Sequence, residues 1–514
     1  MQIGPAANAQ NYPDKLAVVF LDQRYTWREW NARINQVAHG LARLGLQRGD
    51  KVAVLLNNGN ELLEVTNAVG KVGMVAVPLN YRLTASEIEY IVNNADARAF
   101  IFGVEFAERV REVQSQLSEV PPGNFLVVGA NGSGQHGFGA YEPWLAAQSA
   151  EEPATEAIAA MSAMIYTSGT TGRPKGVARS GSGIDPVLLM GILQGFRLSP
   201  DEVHLVCAPL YHSAPLLGAA LTIALGGTLV IMPKFEAEDF LRLVDREKVT
   251  STMAVPTIMK RLVALPEEVR ARYDVRSMRS MIFGAAPCPM ETKRAIADYF
   301  GDCLYEYYGS TDAGLSTILA PHEQFTKVGS CGRVLEGHEI KIFDEGGNEL
   351  PAGEPGDVYI HNSMVDSMQY YKEPEKTRSA FRGKYMTVGD VGYLDQDNYL
   401  YLVDRKIDMV ISGGVNIYPA EIEAVIHEHP AVLDVAVLGV PNEEWGEELK
   451  AVVQLKPGVQ ARPEDISDFC AERLADYKRP RSVDFVDEVP RNPSGKLLKR
   501  ELRKRYWGES QCQI

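Results

Sequence analysis

Tyr166-Thr-Ser-Gly-Thr-Thr-Gly-Arg-Pro-Lys-Gly176 is the stretch on which the reading of this chain turns. It follows an apolar run, Met161 to Tyr166, of the kind that forms a short strand. Its three glycines, Gly169, Gly172 and Gly176, and its four hydroxyls, Thr167, Ser168, Thr170 and Thr171, leave the backbone free to wrap an anion with N–H and O–H donors. A polyphosphate is the natural guest. A Walker A loop would set a lysine directly after its second glycine and a Ser or Thr after that, opening a helix. Here Arg173 and Pro174 intervene, and Gly176 follows Lys175. The plain alternative is a ligand-free Gly/Thr hairpin, for which eleven patterned residues are long.

Working outward, 514 residues with 45% hydrophobic and 23% charged side chains can bury large cores and should divide into two or more domains. The formal net charge of -15 repels nucleic acid and anionic membrane surfaces, so nucleic acid is excluded as a partner and any nucleotide must be held by local donors. Six scattered cysteines, with no C-x-x-C pair, read as the reduced thiols of a cytoplasmic protein. Met1-Gln-Ile-Gly-Pro5 has neither a basic region nor an apolar core, so no signal peptide is expected. The uncharged run Ala214 to Pro233 is long enough to raise a membrane span, but Gly226-Gly227 breaks it into a helix-like half and a strand-like half, Thr228 to Met232. Buried core is the better reading.

The first third alternates helical and strand patterns. Thr26-Trp-Arg-Glu29 is a capping box, after which Trp30, Ile34, Val37, Leu41 and Leu44 share one helical face, closed by Gly45 and Gly49. Val52 to Leu56 reads as a buried strand, Thr84-Ala-Ser-Glu87 opens another helix, and Ala99 to Phe102 returns to strand. Pro121 to Gly139, rich in Gly and Asn, reads as a loop. The alternation predicts an α/β fold with parallel sheets.

The Tyr166–Gly176 stretch resembles the signature loop of the AMP-forming acyl-CoA synthetases, whose superfamily also holds amino-acid adenylation domains and beetle luciferases. The resemblance runs from the Thr26 helix to Lys496. It implies a large N-terminal domain of α/β subdomains, residues 1–405, and a small mobile α+β C-terminal domain, residues 406–514, that swings about the neighbourhood of Ile407. It further implies ATP, Mg²⁺ and coenzyme A as cofactors and a carboxylic acid as substrate; with the uncharged run broken at Gly226-Gly227 no transmembrane segment is expected, and a homodimer is left open.

Motif by motif, the resemblance assigns Thr167, Ser168, Gly169, Thr170, Thr171, Gly172 and Lys175 to the phosphates. Gly284-Ala285-Ala286-Pro287, after the strand-like Ser280 to Phe283, resembles the turn that walls the adenine, where small residues admit a flat ring. Tyr305-Glu-Tyr-Tyr-Gly-Ser-Thr-Asp312 resembles the family's Tyr-Gly-x-Thr-Glu. There Tyr307 or Tyr308, beside Gly309, would pack on adenine, and Thr311 would donate to the α-phosphate. Asp312 stands in place of a magnesium-associated Glu; it keeps the hard oxygen that Mg²⁺ prefers but is one methylene shorter, so a water-mediated contact is expected. Asp390 of Thr387-Val-Gly-Asp390 and Arg405 of Tyr401-Leu-Val-Asp-Arg405 match the residues that hold the ribose.

Pro209-Leu-Tyr-His-Ser-Ala-Pro215 sets a histidine between two prolines. Such a histidine is most often structural, yet in the family this segment lines the acyl pocket. Adenylation domains for α-amino acids carry an aspartate there to hold the ammonium; this chain has His212, then Ser213 and Ala214. An unpaired buried amine would be costly, so the acid is read as fatty, aromatic or alicyclic without an α-amino group, in a pocket with few bulky walls near Gly314. Ser412, Gly413 and Gly414 would form the passage for the pantetheine arm of CoA, and Lys496 of Pro490-Arg-Asn-Pro-Ser-Gly-Lys496 would be the catalytic lysine, before a basic helix Leu497 to Arg505. The implied reaction is attack of a carboxylate on the α-phosphate of ATP, then attack of the CoA thiol on the acyl-adenylate, with Lys496, Thr311 and Asp312 as the catalytic set. A carrier-protein-loading adenylation enzyme, a luciferase-like oxygenase and a nucleotide-binding pseudoenzyme are the other readings.

Overall fold

In the computed structural model, residues 3–129, 137–154, 162–167, 173–179, 185–285, 288, 290–344, 346–405, 410–417, 419–490 and 499–507 are described. Leu16–Phe20, Thr228–Ile231, Val203–Val206, Ser251–Ala254, Ser280–Phe283 and Leu304–Ser310 run parallel, in that spatial order, in one sheet. Thr228–Ile231, Ser251–Ala254 and Ser280–Phe283 are buried at every position, because helices cover both faces, and their polar side chains Thr228, Thr252 and Ser280 are hydrogen-bonded to backbone carbonyls. From Leu304–Ser310 the same sheet continues antiparallel through Gly314–Leu319, Ser330–Val334, Tyr399–Arg405 and Tyr385–Leu394, reaching 14 strands. Parallel strands end on one common edge. The segments leaving that edge are Cys207–His212, Val255, Gly284-Ala285 and Thr311-Asp312, so the topology itself gathers the motifs of the sequence.

A second, parallel sheet orders Val75–Pro78, Lys51–Leu55, Ala97–Gly103, Phe125–Val128 and Gly139–Ala140. Here the expectation of a loop from Pro121 to Gly139 is corrected: Phe125–Val128 is a strand paired with Ala97–Gly103, its first three side chains buried. Four apolar residues between Gly/Asn-rich flanks are too few to show a period, and only the neighbouring strand makes them legible. Both capping boxes, Thr26/Glu29 and Thr84/Glu87, form as read. The uncharged run divides into helix Ser213–Leu225, a left-handed Gly226 at φ +69° and strand Thr228–Ile231. Among the described residues no helix is long and apolar enough to cross a membrane.

Ile165–Thr167, Lys175–Arg179 and Met368–Tyr370 form a small antiparallel sheet, with Thr167 opposite Lys175. The strand before the loop is thus shorter than the apolar run that announced it. A separate five-stranded sheet, Val415–Ile417, Val410–Ser412, Gly446–Leu455, Val432–Asn442 and Ser482–Phe485, is built wholly from residues after 409. It has its own core, including Ile422, Val435, Val453 and Ile466. The basic helix near the end is Lys499–Trp507, and Leu502 is its buried contact.

Candidate active site

A continuous cavity of about 2140 Å³ lies along the common strand edge, and most of the described residues named above line it. Thr167 and Lys175 face each other at the base of the signature loop. Lys175 Nζ lies 3.5 Å from the centroid of the Tyr370 ring and 3.9 Å from Asp312 Oδ1; burial holds its pKa below the ordinary lysine value. Thr167 Oγ1 and Asp312 Oδ1 are both buried and make no hydrogen bond. Buried polar atoms are almost always bonded, so two such oxygens in one cavity mark where a ligand's polar groups belong.

Strand alternation separates the two tyrosines left open by the sequence. Tyr308 turns to the side of Asp390, whose Oδ2 accepts its hydroxyl at 2.7 Å; Asp390 is 6% exposed and pairs in register with Arg405 across the strands. Tyr307 turns the other way, lines the cavity and packs against the apolar cluster that includes Leu221 and Met253. A Cβ on Gly284 would come within 2.7 Å of the Tyr307 ring, and Ala285 adopts φ +66°, a conformation unusual for a residue with a side chain. Such strain persists where the surroundings impose it, and it clusters at ligand sites.

On the opposite wall His212 occupies the position before helix Ser213–Leu225. Burial, and then the Arg82 cation, lower its pKa to about 4, so the imidazole is neutral at physiological pH. Its ring lies 4.3 Å from that of Tyr211. Ser213 Oγ is 3.1 Å from Thr311 Oγ1, which ties the start of this helix to the threonine expected at the α-phosphate. Gly314, at φ +74°, leaves the space that Met364 occupies, since a Cβ there would meet its sulfur at 2.8 Å.

Arg179 went unread in the sequence. From the strand after the loop its Nη2 donates to the carbonyls of Thr311 at 2.7 Å and Asp312 at 3.1 Å, while its Nε is buried without a partner. The available signal was strand period: Lys175, Val177 and Arg179 share one face of Lys175–Arg179, so a cavity that takes the lysine takes the arginine too.

From the C-terminal domain the turn between Val410–Ser412 and Val415–Ile417 reaches the same cavity. Gly413 and Gly414 stand at φ +59° and +78°; a Cβ on the first would strike the Trp445 ring, and one on the second Val255. The spacing of glycines here is therefore imposed by both backbone conformation and close approach. Ser168, Gly169, Thr170, Thr171, Gly172, Ala286, Pro287, Ile407, Lys496 and the side chain of Arg405 lie outside the described residues.

The sequence profile of AMP-binding enzymes matches residues 6–371, and that of the AMP-binding enzyme C-terminal domain matches residues 421–496. The chain belongs to the AMP-binding enzyme family. Long-chain-fatty-acid–CoA ligase FadD13 of Mycobacterium tuberculosis is 34% identical over 487 residues, 94% of each chain. Fatty acid–[acyl-carrier-protein] ligase ScoC of Streptomyces coeruleorubidus is 32% identical over 516 residues, 98% of this chain and 96% of that one. Among solved structures, a double mutant of o-succinylbenzoate-CoA synthetase (MenE) from Bacillus subtilis, bound with its product analogue OSB-NCoA, superposes with a TM-score of 0.83 at 29% identity over 98% of both chains. ATP-bound MatB from Rhodopseudomonas palustris gives 0.69 at 30% identity, over 98% of this chain and 99% of that one. In this AMP-binding enzyme the two profiles leave residues 372–420 between them, the span that holds Asp390, Arg405 and the Gly413-Gly414 turn.

Proposed function

We infer that this chain is an acid–CoA ligase that works through an acyl-adenylate. A carboxylate oxygen attacks the α-phosphorus of ATP and pyrophosphate leaves; the CoA thiolate then attacks the acyl carbon and AMP leaves. The observation that carries this reading is one cavity lined by Lys175, Thr311, Asp312 and Asp390 at the strand edge and by Gly413 and Gly414 from the other domain. Residues expected to hold the nucleotide and the glycines expected to admit the pantetheine arm line the same cavity.

The first step brings two anions together, and electrostatics is its obstacle. Lys175 and the hydroxyls of the loop that begins at Thr167 supply donors for the leaving phosphates, and Thr311 donates to the α-phosphate. Asp390, with Tyr308 at its side, takes the ribose hydroxyls together with Arg405. Tyr307 belongs to the acyl wall, since it packs against the apolar cluster that includes Leu221 and Met253. Lys496 approaches the carboxylate from the C-terminal domain, which begins at residue 406. Asp312 would hold Mg²⁺, and its unbonded buried oxygen fits that ion. The ion would add positive charge at the phosphates.

The acid has an apolar body and no α-amino group. Leu189, Ile192, Leu217, Leu221 and Met364 wall the acyl side. Four carboxylates line the cavity among the described residues. Glu152 pairs with Lys71, Asp185 caps its own helix at Val187, Asp312 faces Lys175 and Asp390 takes Tyr308. The unbonded oxygen of Asp312 stands beside the Lys175 cation and not among the apolar residues of the acyl wall, so an α-ammonium there would lack a carboxylate partner. The match to ScoC favours one second reading, in which the accepting thiol sits on a carrier protein.

Pyrophosphate release from ATP with octanoate, palmitate, benzoate or ferulate, each with and without CoA and with a holo acyl carrier protein, tests the reading. Thioester formation with CoA is the expected result. Thioester on the carrier protein alone would transfer the assignment to the second reading, and absence of acid-dependent pyrophosphate release would overturn both.

A further inference from the structure

A lysine of the C-terminal domain is buried against the N-terminal domain. The Lys478 side chain, 5% exposed, lies between Glu87 Oε1 at 2.5 Å and Glu421 Oε1 at 2.8 Å, whose side chains are 11% and 10% exposed. Glu421 lies in the first turn of helix Pro419–His427 and shares the C-terminal domain with Lys478. Glu87 lies in the first turn of helix Ala85–Asn94, packed on the N-terminal parallel sheet. Charges withdrawn from water to this degree hold firmly to a partner, and leaving one of them with no partner at all is strongly destabilising.

Each group nevertheless keeps a second partner. Glu87 Oε2 accepts from Thr84 N at 2.8 Å and from Thr84 Oγ1 at 2.9 Å, closing the capping box, and Lys478 retains Glu421. The Lys478–Glu87 link is therefore the member of this triad that opens when the domains part, and parting strands neither ion. Along the same seam Arg261 pairs with Glu444 at 3.1 Å and stacks on Trp445 at 5.1 Å, and Gly414 abuts Val255. Tyr477 and Lys478 line the cavity that Gly413 and Gly414 enter.

We propose that Lys478 and Glu87 form a releasable latch that holds the pose in which the Ser412–Gly414 passage faces the acyl group, making the pair a positioning element of thiol transfer and not of adenylation. The latch rests on the ligase reading above. Glu87→Gln tests it, because glutamine serves equally in a capping box and only the charge is removed. Three quantities are measured: pyrophosphate release with the most active acid among octanoate, palmitate, benzoate and ferulate; acyl-CoA formation from the corresponding presynthesised acyl-adenylate; and the affinity for CoA by calorimetry. In Glu87→Gln, adenylation and melting temperature should stay at the wild-type values, while transfer falls about tenfold or more and CoA binding weakens in step.

Lys478→Met should slow transfer at least as far, and adding Glu87→Gln to it should change transfer no further, since the link is already gone. Equal losses in both half-reactions, transfer at the wild-type rate in Glu87→Gln, or additive effects in the double variant each overturn the latch. A wild-type chain that releases pyrophosphate yet forms no thioester overturns the ligase reading and the latch's part in it, a result visible before any variant is made.

Discussion

Gly414→Ala tests the CoA passage through a single carbon. Gly414 stands at φ +78°, and a Cβ there would lie 2.9 Å from Val255 Cγ2 and 3.1 Å from Val255 Cβ. The left-handed conformation costs an alanine roughly 1 kcal/mol, and forcing a methyl into a packed seam costs roughly 1–3 kcal/mol more. Gly458 separates the two effects. It stands at φ +76° with nothing within 4 Å of its notional Cβ, so Gly458→Ala carries the backbone strain alone. Denaturant titration should find both variants destabilised by about 1 kcal/mol. Beyond that shared loss, only Gly414→Ala disturbs the docked seam. Its CoA transfer from a supplied acyl-adenylate should fall below that of Gly458→Ala by roughly 5- to 150-fold, the rate equivalent of the packing penalty, while pyrophosphate release in the two variants should agree. Val255→Ala in the Gly414→Ala background removes the nearest methyl and should return part of the rate. Equal transfer in the two glycine variants, or equal loss of both half-reactions in Gly414→Ala, would refute the reasoning.

Burial holds both His204 and His212 down to about 4, against about 6.5 in an unfolded chain, so from pH 6.5 down to 4 the unfolded state binds more protons and stability falls as pH falls. For His204 the full shift is worth about 3 kcal/mol, and His204→Gln should flatten the stability curve by that much between those pH values; a curve parallel to wild type would refute the assignment. Asp312→Asn should raise the Mg²⁺ concentration needed for adenylation and weaken Mn²⁺ binding read by electron paramagnetic resonance, because a neutral amide attracts the ion less; unchanged titrations remove Asp312 from a metal role. Tyr308→Phe takes the hydroxyl from Asp390, and AMP affinity measured by calorimetry should fall about tenfold, with an unchanged affinity showing that this hydrogen bond does not shape the ribose site.

What the sequence shows of this protein is what local chemistry dictates. Thr26/Glu29 and Thr84/Glu87 form the capping boxes they spell, and Gly226 turns where the uncharged run had to break. Gly413 and Gly414 are glycines because their φ values and their neighbours exclude a Cβ. Phe125–Val128 escaped notice because its strand character resides in the pairing with Ala97–Gly103, and no period fits in four residues. Tyr307 and Tyr308 could be told apart only once the strand direction was known, since adjacent residues of a strand face opposite sides. Lys478 and Glu87 are 391 positions apart, and no spacing rule connects them.

Arg179 belongs with these long-range partners, and it bears on the shortened carboxylate at 312. Were the Thr311-Asp312 segment held in place by its own side chains, replacing the resemblance's glutamate by aspartate would shift the whole segment toward Lys175 to recover an ion pair. The geometry shows otherwise: Asp312 Oδ1 remains 3.9 Å from Lys175 Nζ, beyond hydrogen-bond reach. The main chain is gripped instead, with Arg179 Nη2 on the carbonyls of Thr311 and Asp312, and the Asp312 carboxylate takes no part in that grip. Because the backbone is fixed from behind, losing a methylene withdraws the carboxylate from its cation without displacing Thr311. That leaves a buried oxygen without a hydrogen bond, with Lys175 Nζ at 3.9 Å and the Arg179 guanidinium behind it on the main-chain carbonyls.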